Sequence, residues 1–114
     1  MININKHLMD TLKPLGILVA FQSVPTGTKL PDEYVTFSEI NVNPAFEASD
    51  MEIETERLVQ VNVWSKSNYF NLVEEVKRLM EQAGYERTLE YDAPYSDGDS
   101  HYNKVLRFVF FDEY

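Results

Sequence analysis

Residues 58–66 read LVQVNVWSK, and this segment determines more of the architecture than any other in the chain. Apolar and polar residues alternate along it, which is the pattern of a β-strand with one buried face. Its three valines share one face, which we expect to lie against helices. The opposite face is mixed, so we expect either solvent or another subunit to cover it. The members of that second face include Gln60, Asn62 and Trp64.

An amphipathic helix is predicted directly after this strand, from about Asn68 to Ala83. Its apolar residues follow the three-and-four spacing of one helical face. These residues are Tyr69, Leu72, Val73, Val76, Leu79, Met80 and Ala83. Ser67 or Asn68 can cap the first turn, and Gly84 stands where a helix often ends in the left-handed conformation.

A shorter helix is predicted near the start of the chain, from about Lys6 to Lys13. Asn3 or Asn5 can cap it, because a short amide side chain accepts from the free N–H groups of the first turn. Pro14 ends it, since proline cannot continue the backbone hydrogen bonds. One apolar stripe runs through this region and consists of Ile4, Leu8, Leu12 and Leu15.

The remaining segments predict strands and turns. We expect a buried strand at Ile17–Phe21, further strands at Tyr34–Val42, Tyr85–Tyr91 and Tyr102–Phe111, and a solvated turn leading into the next strand at Phe46–Glu56. The last strand has two apolar faces, one with Leu106, Phe108 and Phe110, the other with Val105, Val109 and Phe111. Short connections favour an α+β fold in the order α-β-β-β-α-β-β, a mainly antiparallel sheet of four to five strands with both helices on one side.

The composition fits one globular domain spanning residues 1–114. Hydrophobic residues make up 44% and charged residues 25%, which is typical of a chain that can bury one core. There is no cysteine, which excludes disulfides and thiolate metal sites. The start lacks the pattern of a signal peptide, and no apolar run approaches the ~20 residues that span a bilayer. We therefore expect folding in the cytoplasm and no membrane contact.

The charge is strongly acidic, with 10 basic against 19 acidic residues and a net charge of −9. Nucleic acids and anionic membranes are bound mainly through basic side chains. Direct contact with DNA would therefore be repulsive, although DNA can pass nearby.

The residues predict neither a catalytic site nor a cofactor site, and we therefore expect a protein that is not an enzyme. His7, on the short helix, is expected to be a surface or structurally satisfied residue. His101 follows Ser100, but neighbours in a strand point to opposite faces, so we do not expect a catalytic pair. The four glycines form no phosphate loop. Asp97 and Asp99 flank a glycine and favour a turn, with weak divalent-ion binding as the minority alternative.

The phrases VQVNVWSKSNY and HYNKVLRFVFFDE, together with the order of segments from ININKHLMDTLKPLG to FDEY, resemble the small tail terminator (tail-completion, head–tail joining) proteins of long-tailed phages and prophages. The resemblance implies a structural protein that forms a ring, expected to be hexameric, on the head-proximal end of the tail. The ring stops polymerisation of the tail-tube protein and offers a surface to the head-completion protein. It would be assembled in the cytoplasm of the bacterial host and belong to the virion tail.

Two sets of site residues follow from this hypothesis. The acidic segment would line or rim the channel for DNA, through Glu47, Asp50, Glu52, Glu54 and Glu56, although an ordinary solvated hairpin is the competing interpretation. Subunit contacts are expected at Gln60, Asn62, Trp64, Phe108 and Phe110. The alternative function is an acidic binding protein that mimics DNA and inhibits a nucleic-acid enzyme, which the negative charge suggests.

Overall fold

The computed structural model describes the backbone of residues 2–48 and 51–113, and the side chains of residues 2–42 and 55–112. The elements are α1 (Ile4–Leu12), a 3₁₀ turn (Lys13–Leu15), β1 (Leu18–Phe21), β2 (Glu33–Ala48), β3 (Met51–Ser65), α2 (Phe70–Gln82), β4 (Glu86–Asp92) and β5 (Tyr102–Glu113). The five strands form one sheet in the order β1-β2-β3-β5-β4. The predicted α+β fold and element order are confirmed.

The centre of the sheet is β3, which pairs antiparallel with β2 on one side and β5 on the other. Val61 lies opposite Phe37 of β2 and Leu106 of β5. The three valines of β3 are completely buried in one core with residues of both helices. The predicted valine face is therefore confirmed, and both helices pack on this side of the sheet, which we call the helix face.

The first helix begins two residues earlier than predicted, because Asn3 rather than Asn5 caps it. The side-chain oxygen of Asn3 accepts a hydrogen bond from the backbone N–H of Lys6 at 3.2 Å. The predicted stripe packs inward: Ile4, Leu8 and Leu12 are buried, and Leu15 packs against the same core.

The second helix is slightly shorter than predicted, at Phe70–Gln82. Val73, Val76 and Met80 are buried, whereas Leu79 of the predicted stripe is only half-buried. Gly84 has φ +97°, as its place after the helix predicts, and a Cβ there would lie 3.4 Å from the Phe110 ring. None of the described helices is both long and apolar enough to cross a membrane.

The strand predicted to be buried at Ile17–Phe21 is instead the short edge strand β1. It pairs only with β2, in parallel, and both Leu18 and Phe21 are exposed. The prediction of a buried strand was wrong because the length of the apolar run matches that of a core strand. Burial depends on the neighbouring strands and helices, which the run itself does not specify.

The region predicted as a solvated turn is largely strand. β2 continues to Ala48 and β3 begins at Met51, and their register is irregular between Pro44 and Phe46. Proline is tolerated because β1 ends opposite Phe37, which leaves β2 as an edge strand beyond that point. We call residues 43–48 and 51–54 the hairpin arm. The molecule as a whole is elongated, measuring 53 × 26 × 24 Å.

A cluster of charges is buried where the hairpin arm joins the rest of the sheet. The Arg57 guanidinium donates to Glu39 at 2.5 Å and to Asp112 at 3.0 Å. Asp112 also accepts from the backbone N–H of Ile2 at 2.9 Å. This cluster connects β2, β3, β5 and the residues before α1, so it fixes four parts of the chain at one point.

Candidate interaction surface

The side of the sheet opposite the helices carries the candidate site, and we call it the outer face. Neither described helix covers it. The register places side chains from four strands on this face. They include Tyr34, Thr36, Ser38, Gln60, Asn62, Trp64, Leu89, Tyr91, Asn103, Val105, Arg107, Val109 and Phe111.

Three of the five predicted subunit-contact residues lie on the outer face. Gln60, Asn62 and Trp64 are all half-buried. Gln60 donates to Asn62 and accepts from the Arg107 guanidinium, each at 3.0 Å. The middle of the outer face is therefore a connected polar network whose geometry is already fixed in the single chain.

The other two predicted residues, Phe108 and Phe110, do not share the outer face with these three. The register sets Phe108 opposite Val59 and Phe110 opposite Arg57, which places both on the helix face. Phe108 is 0% exposed, and Phe110 packs on the Tyr85 ring at 5.0 Å. Because both faces of β5 are apolar, the sequence pattern could not show which face meets the helices.

An exposed apolar patch lies on the outer face along β4 and the end of β5. Leu89, Tyr91 and Phe111 are 43%, 43% and 42% exposed. We call these three residues the β4–β5 patch. Val105 and Val109 lie on β5 next to this patch and are buried. Since β4 is an edge strand, this patch reaches the rim of the sheet, where another chain can approach it.

A cleft lies at the opposite end of the outer face. Its floor is a row of three residues on adjacent strands, since Trp64 lies opposite both Tyr34 and Asn103. Loop residues 93–101 close it from above and leave a volume of about 290 Å³. The Tyr34 and Trp64 rings are stacked, with centroids 5.7 Å apart. The Trp64 indole N–H donates to Thr36 at 3.1 Å.

The loop over the cleft is held by a serine–histidine contact that we did not expect. The Ser100 hydroxyl lies 2.7 Å from His101 Nδ1, and His101 Nε2 lies 2.8 Å from the carbonyl of Pro31. A carbonyl only accepts, so Nε2 carries the proton and Nδ1 accepts from Ser100. The expectation that their side chains point to opposite faces was wrong, because both residues precede β5, where side chains do not alternate as in a strand. That they do not form a catalytic pair stays a prediction.

The hydrogen bonds of this pair are those of a structural contact that holds the loop in place. A catalytic triad places a carboxylate on the second imidazole nitrogen to stabilise the imidazolium. Here that nitrogen donates to the backbone carbonyl of Pro31, which carries no negative charge. His101 is 5% exposed, so the contact mainly fixes the loop to the segment before β2.

The other residues considered for chemistry have structural partners. His7 Nδ1 lies 2.7 Å from the Tyr85 hydroxyl, and its ring stacks on that tyrosine. Asp97 lies in a turn in which the backbone N–H of Asp99 donates to Ser96 at 3.0 Å. In the part of the chain that the structure describes, no three His, Asp or Glu residues are grouped to hold a metal ion.

The predicted channel residues are concentrated on the hairpin arm. The backbone register sets Glu47 opposite Glu52, and Glu54 opposite Glu113. Asp50 lies outside the described residues. Glu56 is half-buried and lies opposite Phe111 on the outer face.

The cleft and the buried charge cluster were both missed by sequence reasoning. Arg57 did give a signal, because it continues the period-two row of the buried valines and so required a buried counter-charge. Asn103 gave none, because its burial depends on a loop that folds back over the sheet.

Comparisons with known proteins add no relative to this description. A scan of protein-family models and a comparison with curated proteins both find no match to this chain. Function is therefore inferred from the residues and contacts described above.

Proposed function

We propose that this protein is a tail terminator of a long-tailed phage or prophage. Copies of the chain form a ring, hexameric by the family resemblance, at the head-proximal end of the tail tube. The ring stops addition of tail-tube protein and presents a surface to the head-completion protein. Its role is structural, in the virion tail, with assembly in the host cytoplasm. The observation that carries the proposal is the β4–β5 patch on an uncovered sheet face.

The distribution of exposed apolar residues supports a ring rather than a symmetric dimer. One set, Leu89 and Tyr91, lies at the β4 edge of the sheet. Another lies at the opposite edge, where Phe21, Ile40 and Val42 are exposed on β1 and β2. Two different apolar edges suit a head-to-tail contact, in which one edge of each copy meets the other edge of the next. Repeated contacts of this kind close into a ring when the rotation between copies permits.

The alternative, a DNA mimic that inhibits a nucleic-acid enzyme, has less support. A mimic needs carboxylates free to face a basic partner. In this protein Glu90 forms ion pairs with Lys77, Arg87 and Lys104, and Glu75 pairs with Arg78. The net charge of −9 fits the tail terminator as well, since a channel for DNA must not bind it tightly.

The proposal is tested by assembly on tail tubes. Tubes made from the tail-tube protein of the same phage or prophage genome are mixed with the purified chain and examined by electron microscopy. We expect a ring at one end of each tube and an end to elongation. Genes for tail-tube and head-completion proteins on either side of this gene would add support.

A pair of variants makes the test specific. Leu89→Glu introduces a charge into the β4–β5 patch, and we expect it to abolish ring formation because the carboxylate would have to be desolvated. Phe70→Glu is the matched control, since Phe70 is 64% exposed on α2, in the helix layer. Circular dichroism checks that both variants fold. Tubes that keep growing in the presence of the wild-type chain, with no ring at either end, would contradict the proposal.

A further inference from the structure

We propose that the cleft between the outer face and residues 93–101 binds a guanidinium group. This goes beyond the role as a tail terminator and does not depend on it. The group would insert between the loop and the row formed by Tyr34, Trp64 and Asn103. It would be supplied either by free arginine or by an arginine side chain of a protein.

The strongest observation is a buried oxygen without a hydrogen-bond donor. Asn103 Oδ1 is shielded from solvent and has no partner among the described residues. A buried amide oxygen that accepts no hydrogen bond destabilises the fold, so such atoms in native proteins call for an explanation. Asn103 is one of the residues that line the cleft, so a donor that reaches its Oδ1 from the cleft would satisfy it.

The surrounding groups favour a cationic donor. The stacked rings of Tyr34 and Trp64 offer aromatic surface, which attracts cations and suits the flat guanidinium. Asp99 brings a carboxylate to the cleft, and none of the described residues that line it is a lysine or an arginine. The net charge of −9 further favours a positive ligand.

Three hydrogen-bond donors around the cleft are already used. The Trp64 indole N–H donates to Thr36, and His101 Nε2 donates to Pro31. The Ser100 hydroxyl donates to His101 Nδ1, as the fixed tautomer requires. A ligand rich in N–H groups would complement the acceptors at the cleft, which are Asn103 Oδ1 and the Asp99 carboxylate. Its volume of about 290 Å³ is at the lower end for ligand pockets, ~300–1,000 Å³, which suits one side-chain group.

The test uses the fluorescence of Trp64, the only tryptophan in the chain. The protein is titrated with N-acetylarginine amide and, separately, with N-acetylcitrulline amide, which has nearly the same shape but no charge. We expect a saturable change with the arginine compound and at least tenfold weaker binding of the citrulline compound. Equal binding of both, or no saturable change, would overturn the proposal.

Two variants separate the cleft from the rest of the outer face. Asn103→Leu removes the acceptor, and we expect at least a tenfold loss of arginine binding with an unchanged or raised Tm. Asn62→Leu makes the same change outside the cleft and is expected to bind as wild type. Arginine binding by Asn103→Leu at wild-type strength would contradict the proposal.

Nuclear magnetic resonance provides a measurement that does not depend on a variant. In the ¹⁵N-labelled wild-type protein, the Asn103 side-chain amide and the Trp64 indole signals should shift with the arginine compound and not with the citrulline compound. Shifts confined to other residues would overturn the assignment. A further titration with free L-arginine identifies the source: stronger binding of the blocked compound indicates a protein side chain, and stronger binding of free arginine indicates the amino acid.

Discussion

Arg57 is a charged residue, but it lies on the same face of β3 as the buried valines. Its side chain is 8% exposed and contacts both Glu39 and Asp112. The hydrogen bond from Arg57 to Glu39 is the main reason that the pKa of the guanidinium is raised above its usual value. A buried ion cluster of this kind contributes less to stability than its contacts suggest, because desolvation opposes them. Losing one member is nevertheless costly, since the others are left without a counter-charge.

We predict that Arg57→Met lowers the free energy of unfolding by about 3–5 kcal/mol, the usual cost of breaking a buried ion pair. Urea denaturation measures the change. Arg78→Met is the control: Arg78 pairs with Glu75 on the surface, where solvent screens the charges, so its loss should leave the free energy of unfolding nearly unchanged. Equal losses in the two variants would show that the buried cluster does not hold the arm to the sheet.

Tyr69 leads to a prediction about alkaline pH. Burial, supported by a hydrogen bond from its hydroxyl to Asp92, raises the pKa of Tyr69 from 10.0 to about 12. The folded protein therefore favours the neutral phenol, and this contribution to stability is present below pH 10 and is lost as the pH rises towards 12. We predict that Tyr69→Phe loses stability less steeply than wild type over this interval. Urea denaturation at several pH values provides the two slopes, and equal slopes would contradict the assignment.

At the scale of elements, the residues of the apolar stripe on α2 differ in how deeply their side chains are buried. Val76 is completely buried in the core, while Leu79 is half-buried. We predict that Val76→Asp abolishes cooperative thermal unfolding, because an unpaired carboxylate there costs several kcal/mol, comparable with the ~5–15 kcal/mol that stabilise a domain. Leu79→Asp should retain a transition at a lower temperature. A wild-type transition in Val76→Asp would mean that the helix face is misassigned.

Local periodicity was sufficient to predict most elements, because it reports which side of a helix or strand is apolar. The valines of β3 and the stripe of α2 were placed correctly for this reason. Periodicity fails where burial depends on distant partners. It predicted a core strand for β1, which has only one neighbour, and it could not choose between the faces that carry Phe108 and Phe111. The cleft was missed for the same reason, since it is formed by loop residues 93–101 together with Tyr34 and Trp64, which are distant in sequence.

At the scale of the whole molecule, the hairpin arm carries Glu47, Glu52 and Glu54 in its two strands. In the proposed ring its carboxylates would lie near the channel, where DNA passes within about one Debye length, ~8 Å at physiological salt. We predict that the triple variant Glu47→Lys, Glu52→Lys, Glu54→Lys caps tubes normally but delivers DNA poorly, because lysines would hold the phosphates. Ring formation is scored by electron microscopy and delivery by infectivity.

The outcomes of that experiment are distinct. Normal capping with wild-type delivery would place the arm on the outside of the ring and contradict the channel assignment. Tubes that never stop growing would place the arm in an assembly contact instead.

Because β3 lies at the centre of the sheet, its two partner strands become available at different times during synthesis of the chain. Its partner β2 precedes it, so this hairpin can form once Ser65 has been made. The strand that covers its other edge, β5, begins at Tyr102, after both α2 and β4. Until then β3 presents an unpaired edge to other nascent chains, which is a route to aggregation. Pairing across so many residues is also slow, so we expect docking of β5 to limit the folding rate. Only at that step do Leu106 and Phe108 enter the core beneath the helices.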